Sequence, residues 1–344
     1  MPEFIADARL RCCYWRWNQG INRLWQPMKK TNLILKGLMA VVSLQMTVAF
    51  ASDSVGNDRN RVQQGKGHPF ACADYSQGKV FLVSSAGLVE WETSASSCND
   101  LWVLPNGNLL FNTGHGVKEM TRDKTVVFNY ESKSEIYACQ RLTNGNTFIA
   151  ECNAGRLLEV APDGRLVKEI RLLPEGADGG HLYIRNARRL ADGHYLVTHY
   201  GEQTVREYDS QGKVVREIAA PGGPHSAVRL TNGNTLIACG DMGKDGAHVF
   251  EVDPQGKTVW QVTSDDLPGI SLKFMTGLQR LPNGNTVMSN WLGHGQFGKA
   301  PHLIEVTPDK KVVWTFADHQ TMKTISSVVL LDVPGNAILG EIAH

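Results

Sequence analysis

A short turn motif recurs along this chain and constrains its fold more than any other feature of the sequence. Leu-x-Asn-Gly-Asn, intact or slightly altered, stands at Leu104, Leu142, Leu190, Leu230, Leu281 and Leu331. The altered copies are LADGH at Leu190 and LDVPGN at Leu331. Consecutive copies are 38 to 51 residues apart. That spacing is typical of a four-stranded β-propeller blade whose loops vary in length.

A second turn motif falls between the copies of the first. Examples are APDGRLVKEI from Ala161 and DPQGKTVWQV from Asp253. Asn-Gly and Asp-Gly favour positive φ angles, which two-residue hairpin turns require. The flanking β-branched and aromatic residues are strand formers. Each unit is therefore predicted to run as strand a, Asn-Gly turn, strand b, loop, strand c, Asp-Gly turn and strand d.

Five complete units and two complementary half-units account for residues 76–344. Residues 79–91 hold a c–d pair without a and b, and residues 325–342 hold an a–b pair without c and d. Joining the two ends would complete a sixth blade and close the ring, which hides sheet edges. We therefore predict an all-β, six-bladed β-propeller, closed by N-terminal c–d strands that pair with C-terminal a–b strands. An open solenoid or a β-sandwich would not require complementary half-blades.

The N-terminal part of the chain has the pattern of an export signal. Lys29 and Lys30 precede a mostly apolar stretch, and Ala49-Phe50-Ala51 forms a small-x-small cleavage site before Ser52. This pattern predicts a signal peptide at 28–51 and a periplasmic or secreted protein. A membrane anchor is the alternative interpretation of the same stretch.

The flanking segments follow from the position of this signal. Because a signal peptide begins at the initiator Met, residues 1–27 are interpreted as an upstream gene-model extension. Residues 52–75 are predicted to be an N-terminal linker that leads into the propeller at 76–344. After cleavage no stable membrane span is expected.

Composition excludes several classes of partner and site. The formal net charge is +1, and no run of Lys and Arg is typical of a nucleic-acid-binding surface. An odd number of cysteines remains after cleavage, so at least one is unpaired or intermolecular; they are Cys72, Cys98, Cys139, Cys152 and Cys239. None has the spacing of a zinc or haem site. We expect buried cysteines with at most one or two disulfides, no metal centre, and a monomer.

The two ends of the predicted propeller differ in their loops. The Asn-Gly and Asp-Gly turns lie on one face and are short, whereas the d–a and b–c connections lie on the other. These include the long segments 172–184, 239–248 and 290–302. Functional residues commonly lie on variable loops held by a rigid scaffold. We therefore expect a site at the mouth of the central channel on the long-loop face. A water-filled channel with a merely solvated polar lining is the alternative.

Alignment on the Asn-Gly turn places a ring of polar and aromatic residues at this mouth. Five residues before each repeat Leu stand Asn99, Tyr137, Arg185, His225, Thr276 and Ser326. The predicted ligand-binding residues, in and next to this ring, are Tyr137, Glu151, Asn186, His199, Tyr200, Asn290, Trp291 and His115. His225 and Arg185 are the catalytic candidates, because imidazole can act as nucleophile or base and guanidinium binds anions. Arg188 would complete an anion clamp with Arg185.

The strand–NGN–strand unit with its later DGK-x-V-W segment resembles the pyrroloquinoline-quinone-type and arylsulfotransferase-type propeller repeats of bacterial exported proteins, over about residues 80–340. In arylsulfotransferases a channel-mouth histidine takes up the sulfuryl group, so the resemblance implies that role for His225, with Arg185 as sulfate partner. This chain is shorter than those enzymes, and the rest of their active-site set has no match here. Quinoprotein dehydrogenases would imply calcium and a quinone, but their carboxylate pattern is absent, so the cofactor stays open.

Two functions follow from these observations. The favoured hypothesis is an exported propeller that binds a small ligand, glycan or protein on its long-loop face at the channel mouth. The alternative is an enzyme that uses the same mouth and His225 for sulfotransferase-like group transfer, lyase or hydrolase chemistry on an anionic substrate. The second hypothesis requires His225 within hydrogen-bond reach of another titratable group, such as Glu151 or His199.

Overall fold

The computed structural model describes residues 61–243 and 245–333. The predicted upstream extension, the signal peptide and residues 334–344 lie outside these ranges. The described part contains 25 β-strands and one three-residue 3-10 helix, Ser264–Asp266. The predicted all-β fold is therefore confirmed. None of the helical structure in this part is long and apolar enough to cross a membrane.

The strands form six antiparallel sheets, which are the blades of a β-propeller. Four strands come before blade 1: β1 (Arg61–Gly65), β2 (Phe70–Asp74), β3 (Lys79–Val83) and β4 (Val89–Ser94). Blade 1 contains β5 (Leu101–Val103), β6 (Leu109–Asn112), β7 (Gly116–Met120) and β8 (Val126–Glu131). Blade 2 contains β9 (Ile136–Arg141), β10 (Thr147–Glu151), β11 (Arg156–Val160) and β12 (Leu166–Arg171). Blade 3 contains β13 (Asn186–Arg189), β14 (Tyr195–His199), β15 (Thr204–Tyr208) and β16 (Val214–Ala219).

The remaining strands complete the ring. Blade 4 contains β17 (Pro224–Arg229), β18 (Thr235–Cys239), β19 (His248–Val252) and β20 (Thr258–Val262). Blade 5 contains β21 (Met275–Arg280), β22 (Thr286–Asn290), β23 (Leu303–Val306) and β24 (Val312–Asp318), and β25 (Ile325–Leu330) belongs to blade 6. β1 pairs with β24 and adds a fifth strand to the outer edge of blade 5.

The two ends of the chain pair to close the ring, but they divide blade 6 differently from the prediction. Its strand order is β25-β2-β3-β4, so the C-terminal segment supplies strand a and the N-terminal segment supplies strands b, c and d. Phe70 pairs with Leu330, and Cys72 pairs with Val328. The predicted linker at 52–75 therefore includes propeller strands. β2 gives no alternating signal in the sequence because all five of its residues are buried.

The Asn-Gly turns are one residue longer than the predicted two-residue hairpins. In blade 1 the amide of Leu104 donates to the carbonyl of Asn108, and the amide of Gly107 donates to the carbonyl of Leu104, each at 2.8 Å. Gly107 has a φ of +82°, which only glycine adopts without strain. The Asn106 side chain accepts the amide of Asn108 at 3.0 Å. This is the three-residue hairpin loop with glycine at the left-handed position.

Apolar side chains fill the space between adjacent blades. One cluster joins Leu236 and Val249 of blade 4 to Leu278 and Met288 of blade 5. Burying an aliphatic side chain of this size stabilises a fold by about 1.5–3 kcal/mol. The cysteines named above contribute to these interfaces: all five thiols are free and buried, and no disulfide joins them.

Candidate functional site

A cavity of about 280 Å³ opens where the innermost strands of blades 1 to 5 begin. Its walls come from strand a and from the d–a and b–c connections, so it lies on the long-loop face. The lining residues are Tyr75, Asn99, Tyr137, His181, Leu182, Arg185, Tyr200, His225, Phe274, Thr276, Trp291 and His294. We call this cavity the channel-mouth pocket.

The repeat register places five members of the predicted ring in this pocket, one from each of blades 1 to 5. The sixth, Ser326, is not among the lining residues; its hydroxyl donates to the carbonyls of Ala73 at 3.2 Å and Cys98 at 2.7 Å. Of the residues predicted for binding or catalysis, the pocket brings together Tyr137, Arg185, Tyr200, His225 and Trp291.

Arg185 carries the positive charge of the pocket. Its guanidinium carbon lies 4.6 Å from the centre of the Tyr137 ring and 5.3 Å from that of Tyr200. The residue is only 9% exposed, and its Nε is buried without a hydrogen-bond partner. No carboxylate of the described residues forms an ion pair with it. Burial raises the pKa of both phenols well above their usual range, so neither tyrosine supplies a counter-charge at neutral pH.

The predicted clamp of Arg185 with Arg188 does not form. Both nitrogens of the Arg188 fork instead bond the carboxylate of Asp100, at 2.8 and 2.7 Å. Arg188 lies within β13, whereas Arg185 lies one residue before that strand begins. Side chains alternate between the two sides of a strand, and an offset of three positions places these two on opposite sides. Arg185 is therefore the one arginine that lines the pocket.

His225 lies between aromatic rings and has no hydrogen-bond partner for its imidazole in the described part of the chain. The ring centres of Tyr137 and Phe274 lie 6.5 and 5.6 Å from that of His225. Burial, reinforced by the charge of Arg185, lowers the pKa of His225 to about 3. The imidazole is therefore neutral at physiological pH. The enzyme hypothesis required a titratable partner for His225, such as Glu151 or His199, and the described residues show no hydrogen bond from the imidazole to either.

Two histidine–carboxylate pairs stand at the rim of the pocket, and the sequence did not indicate either of them as a pair. Nδ1 of His181 lies 2.6 Å from Oε2 of Glu135, and Nδ1 of His294 lies 3.0 Å from Oδ2 of Asp241. The Tyr200 hydroxyl donates to the other oxygen of Asp241 at 3.2 Å. Each carboxylate orients an imidazole. The Tyr137 hydroxyl also lies 3.4 Å from Nδ1 and 3.5 Å from Nε2 of His181, whereas Nε2 of His294 has no partner among the described residues.

Glu151 and His199 lie outside the channel-mouth pocket. Glu151 is fully buried in an ion pair with Arg156 at 2.5 Å. Nδ1 of His199 donates to the carbonyl of Tyr183 at 3.0 Å, and its Nε2 accepts the Tyr208 hydroxyl at 2.8 Å. Burial lowers the pKa of His199 to about 4. Both residues end strand b, which is second from the axis, so their side chains point into the blade.

Asn290, Asn186 and His115 also lie outside the pocket. The side-chain oxygen of Asn290 accepts the amide of Lys273 at 2.7 Å and so fixes the connection that leads into β21. Asn186 is buried on β13, one position deeper than Arg185, and His115 is exposed on the β6–β7 connection. The residues at the end of strand b, which were predicted to reach the ligand, instead bond neighbouring backbone or side chains.

Several lining residues were not predicted for the site. His181, Leu182 and His294 belong to the irregular loops 172–184 and 290–302, whose position on this face was predicted but whose side chains have no repeat register. Tyr75 follows the unpredicted strand β2. Phe274 stacks on Tyr200 with ring centres 5.8 Å apart, and it comes one residue before β21 begins.

A possible set of metal ligands lies elsewhere, on the short-turn face of blade 3. Ligand atoms of Asp192, His194 and Glu207 lie within 4.8 Å of one another. His194 occupies the second Asn position of the repeat and bonds Glu207 at 2.7 Å, while Arg229 neutralises the same carboxylate at 2.6 Å. The repeat bonding accounts for this cluster, and we assign no ion to it.

Comparisons with known proteins support the propeller. No protein-family model and no curated protein sequence matches the chain. A protein of unknown function from Bacteroides caccae has 27% sequence identity and a TM-score of 0.68, over 76% of this chain and 98% of that one. A streptogramin B lyase structure has 14% identity and a TM-score of 0.51, over 79% of this chain and 98% of that one.

A third structure is a catalytically inactive variant of virginiamycin B lyase from Staphylococcus aureus with quinupristin. It has 13% identity and a TM-score of 0.50, over 75% of this chain and 99% of that one. At such identities the likeness to the lyases shows the fold alone. The resemblance to quinone-type and arylsulfotransferase-type repeats stays a prediction.

Proposed function

We propose that this protein binds a small organic anion with a flat apolar body in the channel-mouth pocket. The observation that carries this proposal is Arg185, a buried cation between two tyrosine rings that forms no ion pair with any carboxylate of the described residues. A buried charge is costly unless it is paired, so a site of this kind favours an anionic ligand. Guanidinium binds carboxylate, sulfate and phosphate groups through two parallel hydrogen bonds.

The rest of the lining suits the body of such a ligand. Tyr200 and Phe274 stack with a 20° angle between their planes, and Trp291 lies 5.2 Å from Phe274, ring centre to ring centre. Neutral His225 adds another flat surface. The cavity, at about 280 Å³, is near the lower end of the size range of small-molecule sites. A small molecule therefore fits the pocket better than a glycan chain or a protein segment.

The test is a binding measurement with matched ligands on the mature chain. Phenylacetate, phenyl sulfate and phenyl phosphate are titrated by calorimetry, with phenylacetamide as the uncharged match for the first. At least one anion is expected to bind at least 10-fold more tightly than the amide. Arg185→Met keeps the apolar stem and is expected to weaken that anion about 10- to 100-fold, which corresponds to one charge-assisted bond.

Arg165→Met is the control for this variant, because Arg165 is 69% exposed in the Asp-Gly turn of blade 2, on the opposite face. It is expected to bind the anion as the unmodified chain does. Equal affinity for phenylacetate and phenylacetamide, or unchanged anion binding by Arg185→Met, would contradict the proposal.

A second candidate function is acid–base catalysis on an anion held by Arg185, in a lyase or hydrolase. The observation that favours it is the pair of oriented imidazoles, His181 with Glu135 and His294 with Asp241, in one pocket. Two structural neighbours are lyases by name, which supports this candidate. General acid–base groups contribute about 10²–10⁴-fold to a rate.

The two candidates differ in what the imidazoles do. For an enzyme, His181→Gln and His294→Gln are expected to lower turnover at least 100-fold while the anion still binds. For a binding protein, incubation with a bound anion leaves it chemically unchanged by mass spectrometry. For a binding protein, His181→Gln and His294→Gln are expected to change only the affinity for the anion.

The place of action is also a proposal. The predicted signal peptide at 28–51 directs the propeller out of the cytoplasm, to the periplasm or beyond the cell. There the site would meet a ligand from the surroundings of the cell.

A further inference from the structure

A repeated ion pair joins neighbouring blades on the short-turn face, and its form is nearly constant. One carboxylate oxygen of a glutamate on strand c bonds the side chain at the second Asn position of the Asn-Gly-Asn turn in the same blade. The other carboxylate oxygen forms an ion pair with a basic residue of the next blade. In blade 4, Oε1 of Glu251 accepts from Asn234 at 2.5 Å, and Oε2 accepts from Arg280 at 2.8 Å.

The same pair occurs at three further interfaces. The cation–carboxylate distances are 2.6 Å for Arg141 with Glu119, 2.6 Å for Arg229 with Glu207, and 3.1 Å for His68 with Glu305. Between blades 6 and 1 the two positions hold Leu82 and Val103, which pack in one apolar cluster. One interface therefore remains, between blades 2 and 3.

At that interface the two charged residues are present but do not meet. Oε1 of Glu159 accepts from Asn144 at 2.8 Å and Asn146 at 2.6 Å, as the repeat requires. Its Oε2 has no partner among the described residues. Arg189, the repeat cation of blade 3, forms no ion pair in the described part of the chain, and its Nε is buried without a hydrogen-bond partner.

This interface differs from those of blades 4 and 5 by a substitution in β14. In blades 4 and 5 the Nε of the repeat arginine donates to a threonine hydroxyl on strand b, Thr235 at 3.2 Å and Thr286 at 3.0 Å. Blade 3 has Tyr195 at this position. Arg189 has no hydroxyl to hold it there and lies over the Tyr195 ring, 5.0 Å from its centre. Its Nη1 donates to the carbonyl of Leu190 at 2.9 Å.

In blade 2 the Nε of Arg141 and the hydroxyl of Thr147 do not bond each other, yet Arg141 pairs with Glu119 at 2.6 Å. The Tyr195 ring under Arg189, and not the missing hydroxyl alone, therefore distinguishes this interface.

The separated charges border a cleft of about 220 Å³. Its lining residues are Gln140, Leu142, Thr143, Asn144, Glu159, Arg189, Leu190 and Ala191. We propose that this cleft is a second ligand site, for a small zwitterion whose ammonium binds Glu159 and whose carboxylate binds Arg189. Such a ligand completes the ion pair that the other charged interfaces make within the protein. The site lies on the face opposite the channel-mouth pocket and does not depend on the function proposed there.

An ω-amino acid series tests this proposal, because it varies the distance between the two charges. Glycine, β-alanine, γ-aminobutyrate and 5-aminopentanoate are titrated into the mature protein by calorimetry or NMR. Propionate and propylammonium serve as ligands with one charge. One ω-amino acid of the series is expected to bind at least 10-fold more tightly than either propionate or propylammonium. Arg189→Met and Glu159→Gln are each expected to weaken that member at least 10-fold.

Four further variants locate the binding. Glu251→Gln removes the same kind of carboxylate where the pair is closed, and Arg185→Met alters the channel-mouth pocket; both are expected to leave zwitterion binding unchanged. Tyr195→Thr restores the repeat residue and is expected to close the cleft and abolish binding. Tyr195→Phe retains the ring and is expected to bind normally, which separates closure from loss of folding. If no member of the series exceeds the singly charged ligands, or if Arg189→Met binds like the unmodified chain, the proposal is wrong.

Discussion

Arg188 in blade 3 and Asp100 at the start of blade 1 form a bidentate ion pair, although the whole of blade 2 lies between them in the chain. Both side chains are buried, and the amide of Cys139 in β9 also donates to the Asp100 carboxylate at 2.8 Å. The pair therefore lies on the channel side of β9, where it joins the innermost strands of three blades. The arginine next to the site thus stabilises the ring, and Arg185 is left for a ligand.

This pair predicts a large stability effect. Arg188→Met leaves a buried carboxylate without its guanidinium, which typically costs about 3–5 kcal/mol of unfolding free energy. Urea denaturation monitored by tryptophan fluorescence measures the change. The double variant Asp100→Leu with Arg188→Met removes both charges and is expected to recover most of the loss. A loss below about 1 kcal/mol in Arg188→Met would show that the pair contributes little.

The fold was predictable because its turns repeat. Each Asn-Gly turn fixes the register of the two strands beside it, so counting from the repeat Leu placed Tyr137, Arg185 and His225 in one ring. β2 escaped prediction because its side chains are buried on both faces, so its residues show no alternation of apolar and polar side chains to detect.

The site was less predictable than the fold, for two physical reasons. Residues that end strand b, such as Glu151 and His199, point into the blade, and their distance from the axis is not visible in the sequence. The rim pairs of His181 and His294 depend on irregular loops, whose backbone follows no repeat. Arg189 is a separate case. It stands at the repeat position whose arginines form ion pairs in blades 2, 4 and 5, but it lies over the Tyr195 ring and forms no ion pair among the described residues.

A pH-dependent contribution to stability is expected from His68. Its Nε2 lies 3.1 Å from Glu305 and its Nδ1 lies 2.9 Å from Asp332. The bond to Glu305 raises the pKa of His68 above its ordinary value, against the opposing effect of burial. The stabilisation is therefore fully present below the unfolded pKa, about 6.5, and is lost as pH rises through the folded pKa.

The measurement compares the unmodified chain with His68→Gln at about pH 5.5 and about pH 8.5. The difference in unfolding free energy between the two proteins is expected to be larger at the lower pH. The pKa of Glu305 is lowered in the folded state, so its own titration falls below this window and does not contribute. A difference that is the same at both pH values would contradict the assignment.

Export predicts a processed N-terminus. When the chain is produced from Met28, the start of the predicted signal peptide, in a bacterium with a periplasm, the protein recovered from that compartment is expected to begin at Ser52. N-terminal sequencing and intact mass measure this directly. Replacing Ala49 and Ala51 with larger residues is expected to block cleavage, since the processing site requires small side chains. Recovery of an uncleaved chain from the cytoplasm alone would contradict the prediction.

Two N-terminal deletions distinguish the roles of β1 and β2. A chain that starts at residue 67 lacks β1, which covers only the outer edge of β24. It is expected to melt cooperatively at a somewhat lower temperature. A chain that starts at residue 76 also lacks β2, so β25 loses its pairing partner and the ring cannot close. This chain is expected to be aggregated by size-exclusion chromatography, because the innermost strand of blade 6 and the edge of β3 are exposed. If it remained a folded monomer with the same melting temperature, another segment would have to supply strand b of blade 6.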